Sequence, residues 1–241
     1  MVTRKAYLVL LCLLLLVLIL SGWALSARFD STVTIHYQFE APNQREHNLT
    51  LAIPLNDYRE YKERPRPSYE AELTRHEVAN KFLEAYSAMA TDPGDDGIID
   101  SIVRQLNDEA AADDLSELGK VQLVLGFVQS LTYTEDVVPA AYDEYPQYPV
   151  ETLFEQKGDC EDTSILIVAI LTEMGFDVAL LLFEEFDHMG VGINFDVQYG
   201  NSWIHSDGRR YWYLDTTGGR SMGWCPEPYD VTSAYVYPVG G

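Results

Sequence analysis

Three side chains of this 241-residue chain have the types and local settings that covalent acyl chemistry needs: Cys160, His188 and Asp215. Cys160 follows the turn Lys157-Gly158-Asp159 and opens a strongly apolar run through Met174. Asp159 is a helix-capping residue type placed to receive the first backbone N–H groups. A thiol in a first helical turn sits at the positive end of the macrodipole, which favours thiolate. Glu161 and Asp162 oppose this as adjacent negative charges, so a base is required. His188 opens an alternating segment, and Asp215 closes Tyr211-Trp212-Tyr213-Leu214. A thiol, an imidazole and a carboxylate at a helix start, a strand start and a strand end can form a relay. The imidazole takes the thiol proton and the carboxylate holds the imidazole tautomer. On spacing alone the same residues also read as a buried cysteine, a hydrogen-bonded histidine and a strand-ending aspartate.

The elements that must position them follow from periodicity. Residues 32–39 and 49–55 alternate apolar and polar positions around a polar stretch, which predicts a β-hairpin. Helical spacing predicts helices over 72–89, 98–106 and 115–131, then a short one over 150–156. The nucleophile helix spans 160–174 and stops at Gly175, a C′ glycine. Strands are predicted over 178–183, 188–195, 203–205 and 210–214, the last two flanking the turn dipeptide Asp207-Gly208. Helices followed by an antiparallel sheet make the class α+β. The Pro- and Tyr-rich stretch 137–149 is a rigid loop and a candidate cleft wall.

Residues 6–25 form a 20-residue apolar run preceded by Arg4 and Lys5. That is the length of a membrane-spanning helix, and its flanking charges keep the N-terminus cytoplasmic. Length favours an uncleaved anchor over a secretory signal peptide. Residues 1–27 are then the anchor, 28–70 the hairpin and connector, and 71–241 the main domain, outside the cytoplasm. Without Arg4 and Lys5 the remainder carries 14 basic and 38 acidic residues, a net of −24. This charge argues against nucleic acid as a partner, since phosphate binding needs clustered cations. An acid-rich surface with only five lysines suits a high-salt environment. With 47% hydrophobic residues the chain still has material for a core. Asn48-Leu49-Thr50 is a sequon.

Gly158-Asp159-Cys160-Glu161-Asp162-Thr163, followed by the helix ending Met174-Gly175-Phe176, resembles the transglutaminase-like core, a branch of the papain-like thiol enzymes. The His-Met-Gly-Val-Gly segment at His188 and Tyr-Leu-Asp-Thr-Thr around Asp215 are similar to that family's histidine and aspartate motifs. The segments 127–133 and 148–153 are similar to the lead-in of membrane-anchored archaeal members. The resemblance covers roughly residues 57–225. It implies a nucleophile helix packed on an antiparallel sheet, Cys160, His188 and Asp215 as the triad, and Asp159 and Asp162 as support at the helix start. It implies acyl transfer on a protein or peptide substrate, with no cofactor and no metal.

Two departures stand out. If Asp207-Gly208 is a tight turn, Asp215 pairs near Gly200 rather than near His188. The chain must then bend, or the sheet must gain a strand, to return it. The oxyanion donor is also unmarked, because Phe154 stands where a papain-type Gln would be. The Cys160 N–H with Gln129 or Tyr133 is the remaining choice. His205 is an alternative base, better read as a solvated hairpin tip. The segment 92–103 is a poor calcium loop, with Val103 where a Glu is needed. Cys225 is a packing residue or a redox partner of Cys160, and Cys12 lies in the anchor. The activities left open are amide hydrolysis, which is favoured, glutamine crosslinking, and a non-catalytic envelope-binding module.

Overall fold

The computed structural model describes residues 31–41, 45–67, 74–134, 145–186, 188–196, 200–226 and 234–240. The expected anchor, most of the Pro- and Tyr-rich loop and part of the connector lie outside them. No helix among the described residues is long and apolar enough to cross a membrane.

The chain opens with strands β1 (Thr32–Glu40) and β2 (Glu46–Pro54), paired antiparallel with Tyr37 opposite Leu49. Ile35, Tyr37, Phe39, Leu49, Leu51 and Ile53 are buried on one face, and the alternating positions point outward. This period of two is the pattern the sequence carries. The buried face joins the main core. Tyr37 packs edge-on to Phe127 and donates its hydroxyl to the Leu153 carbonyl at 2.5 Å.

Six α-helices follow among the described residues: α1 (Leu55–Glu63), α2 (Arg75–Ala90), α3 (Asp96–Ala112), α4 (Glu117–Gln129), α5 (Pro149–Glu155) and α6 (Cys160–Glu173). Helix α1 has no counterpart in the sequence reading. It is short and polar, and only Tyr61 is buried on it, so it carries little apolar periodicity. Two two-residue strands, β3 (Thr132–Tyr133) and β4 (Lys157–Gly158), pair in parallel just before Cys160.

Helix α6 is the centre of the molecule. Ile165, Leu166, Ile167, Val168, Ile170 and Leu171 are fully buried. A helix apolar all round must be enclosed on every side. Here α2, α3, α4 and α5 cover one side and the sheet covers the other. Each such side chain contributes about 1.5–3 kcal/mol by burial. The helix ends as its sequence dictates. Gly175 takes φ +86°, Phe176 N–H bonds the Leu171 carbonyl and Gly175 N–H bonds that of Thr172, a Schellman motif.

The sheet contains β5 (Val178–Phe183), β6 (His188–Ile193), β7 (Ser202–Ile204), β8 (Arg210–Leu214) and β9 (Ala234–Val239), in the order β7-β8-β6-β5-β9. All its pairings are antiparallel. Strand β8 lies between β7 and β6, which resolves the His-to-Asp interval. The tight hairpin to β7 exists, and the opposite edge of β8 pairs with β6. The sheet gains a strand, as one of the two expected solutions requires. Strand β9, absent from the sequence reading, is an edge strand carrying Pro238, a position that tolerates a missing N–H. The whole is a mixed α/β arrangement, a buried helix packed against an antiparallel sheet.

The acidic turn before α3 is a structural joint. Asp92 accepts from the Tyr61 hydroxyl at 2.7 Å and pairs with Arg64 at 2.9 Å. Asp95 is 2% exposed, and its Oδ2 has no hydrogen-bond partner. Among the described residues no group of three His, Cys, Asp or Glu is placed to hold a metal ion. Burial, with Asp92 and Asp96 nearby, pushes the Asp95 carboxyl up to about 7. A carboxyl whose folded pKa lies above its unfolded value loses stability as pH rises between the two, from about 4 to about 7. Asp95→Asn should therefore stabilise the protein at pH 8 by on the order of 2 kcal/mol and have little effect at pH 4. Thermal denaturation at the two pH values measures this, and an equal effect at both would contradict it.

Candidate active site

The site is built at the start of α6. Asp159 is the N-cap: its side chain accepts from Asp162 N–H at 3.2 Å, and Asp162 accepts from Asp159 N–H at 3.4 Å. This reciprocal box satisfies donors that the first helical turn leaves open. Asp162 is 1% exposed and also accepts from Gln147 N–H at 2.6 Å, which ties the end of the aromatic loop to α6. Both residues thus close the first turn of α6 through direct hydrogen bonds. Thr163 donates to the Asp159 carbonyl at 2.6 Å and its Oγ1 lies 2.8 Å from that of Thr216, the residue after Asp215.

Cys160 is the first residue of α6 and is buried. Its thiol donates to Glu161 Oε2 at 3.0 Å and its sulfur takes a hydrogen bond from the Met189 backbone N–H. The nucleophile candidate therefore lies against the residue next to His188. The thiol is not activated in this arrangement. Burial, then the charge of Glu161 and its hydrogen bond, hold its pKa far above the ordinary thiol range. The helix-terminus field favours thiolate, but desolvation and an adjacent carboxylate outweigh it.

His188 opens β6 and is half-buried. Burial lowers its pKa and the charge of Asp215 opposes that shift. At neutral pH the ring is then neutral, the form a general base needs. Its Nε2 lies 3.0 Å from the Tyr213 hydroxyl, and its ring packs on Phe183. Gly190 makes this contact possible, since a Cβ there would stand 2.4 Å from the Tyr213 ring.

Asp215 follows β8 directly. Val191 pairs with Leu214, so Asp215 continues the register opposite Gly190, on the sheet face that His188 shares. The structure thus brings Asp215 back beside His188. Asp215 is buried, and its Oδ1 accepts from Thr217 N–H at 3.0 Å and Thr217 Oγ1 at 2.8 Å.

Gln129 does not meet the expectation of an oxyanion donor. Its Nε2 donates to the Asp215 carbonyl at 2.7 Å and to the Arg220 carbonyl at 2.9 Å. Both amide hydrogens are spent on tying the Asp215 loop to the end of α4. Tyr133, on β3 beside Gly158, is 47% exposed. It lies next to the backbone that leads into Cys160. His205, the alternative base, lies at the hairpin turn 3.0 Å from Asp207. Cys225 and Cys160 are both free thiols. Cys225 packs with Phe183, Trp203 and Tyr213, while Cys160 belongs to the main core around α6. Burial, then the charge of Asp215, pushes the Cys225 thiol up to about 11.

Tyr213 and Glu161 are contacts that the triad motif does not mark. Glu161 could be anticipated from its adjacency to Cys160. Tyr213 could not, because only the β6–β8 register places it over Gly190.

No family model matches the chain, and no curated protein matches it. Among solved structures the chain is similar to LapG of Legionella pneumophila at 19% identity, over 57% of this chain and 74% of that one, with a TM-score of 0.35.

Two outcomes follow from the site. Glu161→Gln removes the adjacent charge while keeping an acceptor, and should raise the rate of Cys160 alkylation at pH 7 at least several-fold. A rate unchanged from wild type, with Cys225 replaced by Ser in both proteins, would count against Glu161 as the suppressor. Gln129→Ala removes two hydrogen bonds and should cost about 1–3 kcal/mol of stability in urea unfolding. An unchanged midpoint would mean that the loop is not held by this side chain.

Proposed function

We propose that the chain is a thiol acyl-transfer enzyme with Cys160 as nucleophile, His188 as base and Asp215 as the residue that orients it. It acts outside the cytoplasm on a protein or peptide, from a membrane anchor formed by its N-terminal run. The observation that carries this reading is the seat of the Cys160 thiol: the first turn of a capped helix, against the backbone beside a half-buried histidine electrostatically coupled to an aspartate.

In this reading the resting thiol must first turn from Glu161 toward the imidazole. His188 takes the thiol proton and the sulfur attacks the amide carbonyl carbon. The tetrahedral oxyanion collapses, His188 returns the proton to the leaving amine, and a thioester on Cys160 remains. Water then attacks the thioester, giving the acid and the free thiol. Hydrolysis is favoured because water needs no second pocket. A lysine amine attacking the same thioester would make the enzyme a crosslinking transferase.

One observation favours a second reading, a non-catalytic binding module. The thiol is held protonated by burial and Glu161, and the His188 ring is engaged by Tyr213. A peptidyl vinyl sulfone separates the two. Catalysis predicts covalent labelling of wild type at Cys160, a loss of about 100-fold or more in His188→Ala, and a smaller loss in Asp215→Asn. Labelling at a rate independent of His188, or none at all, would overturn the enzymatic reading. Adding a primary amine to an active preparation then divides acid from amide product and decides between hydrolysis and transfer.

A further inference from the structure

Arg220 and Trp224 lie on the loop that leaves Asp215. The Arg220 guanidinium stacks on the Trp224 ring, 4.3 Å from its centroid. Trp224 is 37% exposed, one of few large apolar side chains left open among the described residues. A tryptophan displayed on a loop exposes apolar surface at a cost, so how the loop is held matters. It is held at several points. Gln129 Nε2 bridges the Asp215 and Arg220 carbonyls, and Thr217 donates twice to Asp215 Oδ1. Gly223 N–H bonds the Tyr213 carbonyl at 2.7 Å, and Asn201 N–H bonds the Gly223 carbonyl at 3.0 Å. Trp224 N–H bonds the Ser221 carbonyl at 3.1 Å. The Arg-Trp pair is therefore displayed by a pinned segment rather than by a free tip.

Its charge runs against that of the chain. The protein carries 38 acidic against 16 basic residues, and several of its cations are consumed in ion pairs: Lys62 with Glu155, Arg64 with Asp92, Arg66 with Glu151, and Arg209 with Asp207. Arg220 is exposed and has no carboxylate at ion-pair distance among the described residues. Stacking on one face fixes the plane of a guanidinium and does not consume its edge N–H donors. That fork matches a carboxylate bidentately.

We propose that Arg220, stacked on Trp224, is the substrate-recognition element of the site and takes an acidic side chain of a peptide substrate. This rests on the peptide-acylation reading above and adds the substrate class to it. The net charge of the chain repels an anionic peptide at long range. An exposed cation on the Asp215 loop, without a carboxylate at ion-pair distance among the described residues, removes that exclusion at one point, and so fixes where along the peptide the acidic residue must fall. Neither residue enters the chemistry; both position the peptide.

The test uses two fluorescein-labelled randomised hexapeptide pools, identical except for Asp or Asn at one fixed position. Binding to the exported domain carrying Cys160→Ala is followed by fluorescence polarisation in 0.15 M salt. The Asp pool is expected to bind about 3- to 10-fold more tightly than the Asn pool. Arg220→Gln should erase the difference, and Arg220→Glu should move the preference to a matching Lys pool. Trp224→Ala should weaken the preference, and Trp224→Phe should largely keep it. Equal binding of the Asp and Asn pools, no binding of either, or a preference that survives Arg220→Gln would overturn the proposal. Cleavage of the Asp pool by the protein with Cys160 intact is scored separately. A charge preference that depends on Arg220 but comes without Cys160-dependent cleavage would uphold the recognition element and overturn the acyl-transfer reading.

Discussion

The rest of the structure depends on how the first turn of α6 is closed. A buried helix end must find partners for its N–H groups, because water cannot reach them. Asp159 and Asp162 supply them reciprocally, and Asp162 reaches further, to the backbone of Gln147. Thr163 extends the same junction to Thr216 at the end of β8. One helical turn thus joins the aromatic loop, the nucleophile candidate and the strand end that carries Asp215. Loss of the Asp162 carboxylate would leave buried donors open on two segments at once, and such donors are expensive.

A second buried charge system secures the approach to that turn. Glu151, fully buried on α5, pairs with Arg66 at 2.6 Å and accepts from Tyr145 at 3.0 Å and from Tyr148 N–H at 2.9 Å. Lys62 on α1 bonds Glu155 at 2.7 Å, and Tyr58 stacks on Phe154. A buried carboxylate is tolerated only with such a complete set of partners. Its consequence is positional. The short polar helix α1 and the residues after it are clamped to α5, which leads directly into Cys160.

The electrostatics of the thiol illustrate how magnitude decides. A helix terminus contributes roughly half an elementary charge. Full desolvation together with a full negative charge next door is larger, and the thiol stays protonated. Glu161 is therefore a natural point of control over the Cys160 thiol, since any movement that withdraws it or admits water lowers the thiol pKa.

Much of the fold was legible in the chain. The hairpin, the helices from α2 onward and the strands β5, β6 and β8 follow from apolar periodicity, because each buries one face or is buried entirely. The Asp159 cap and the Gly175 stop were readable because they are local rules of backbone hydrogen bonding. Helix α1 and strand β9 were not, since one is polar and the other is an edge strand with a proline. At the site, the residue types and their order came from the sequence alone: Cys160 at a capped helix start, His188 at a strand start, Asp215 at a strand end. Their relation did not. That β8 inserts between β7 and β6, that Gln129 ties a loop instead of facing an oxyanion, and that Tyr213 meets His188 over Gly190 are matters of register and of long-range partner choice. A chain specifies its local hydrogen bonds through neighbours along itself, but a side chain with several possible distant partners takes the one that tertiary packing brings within reach.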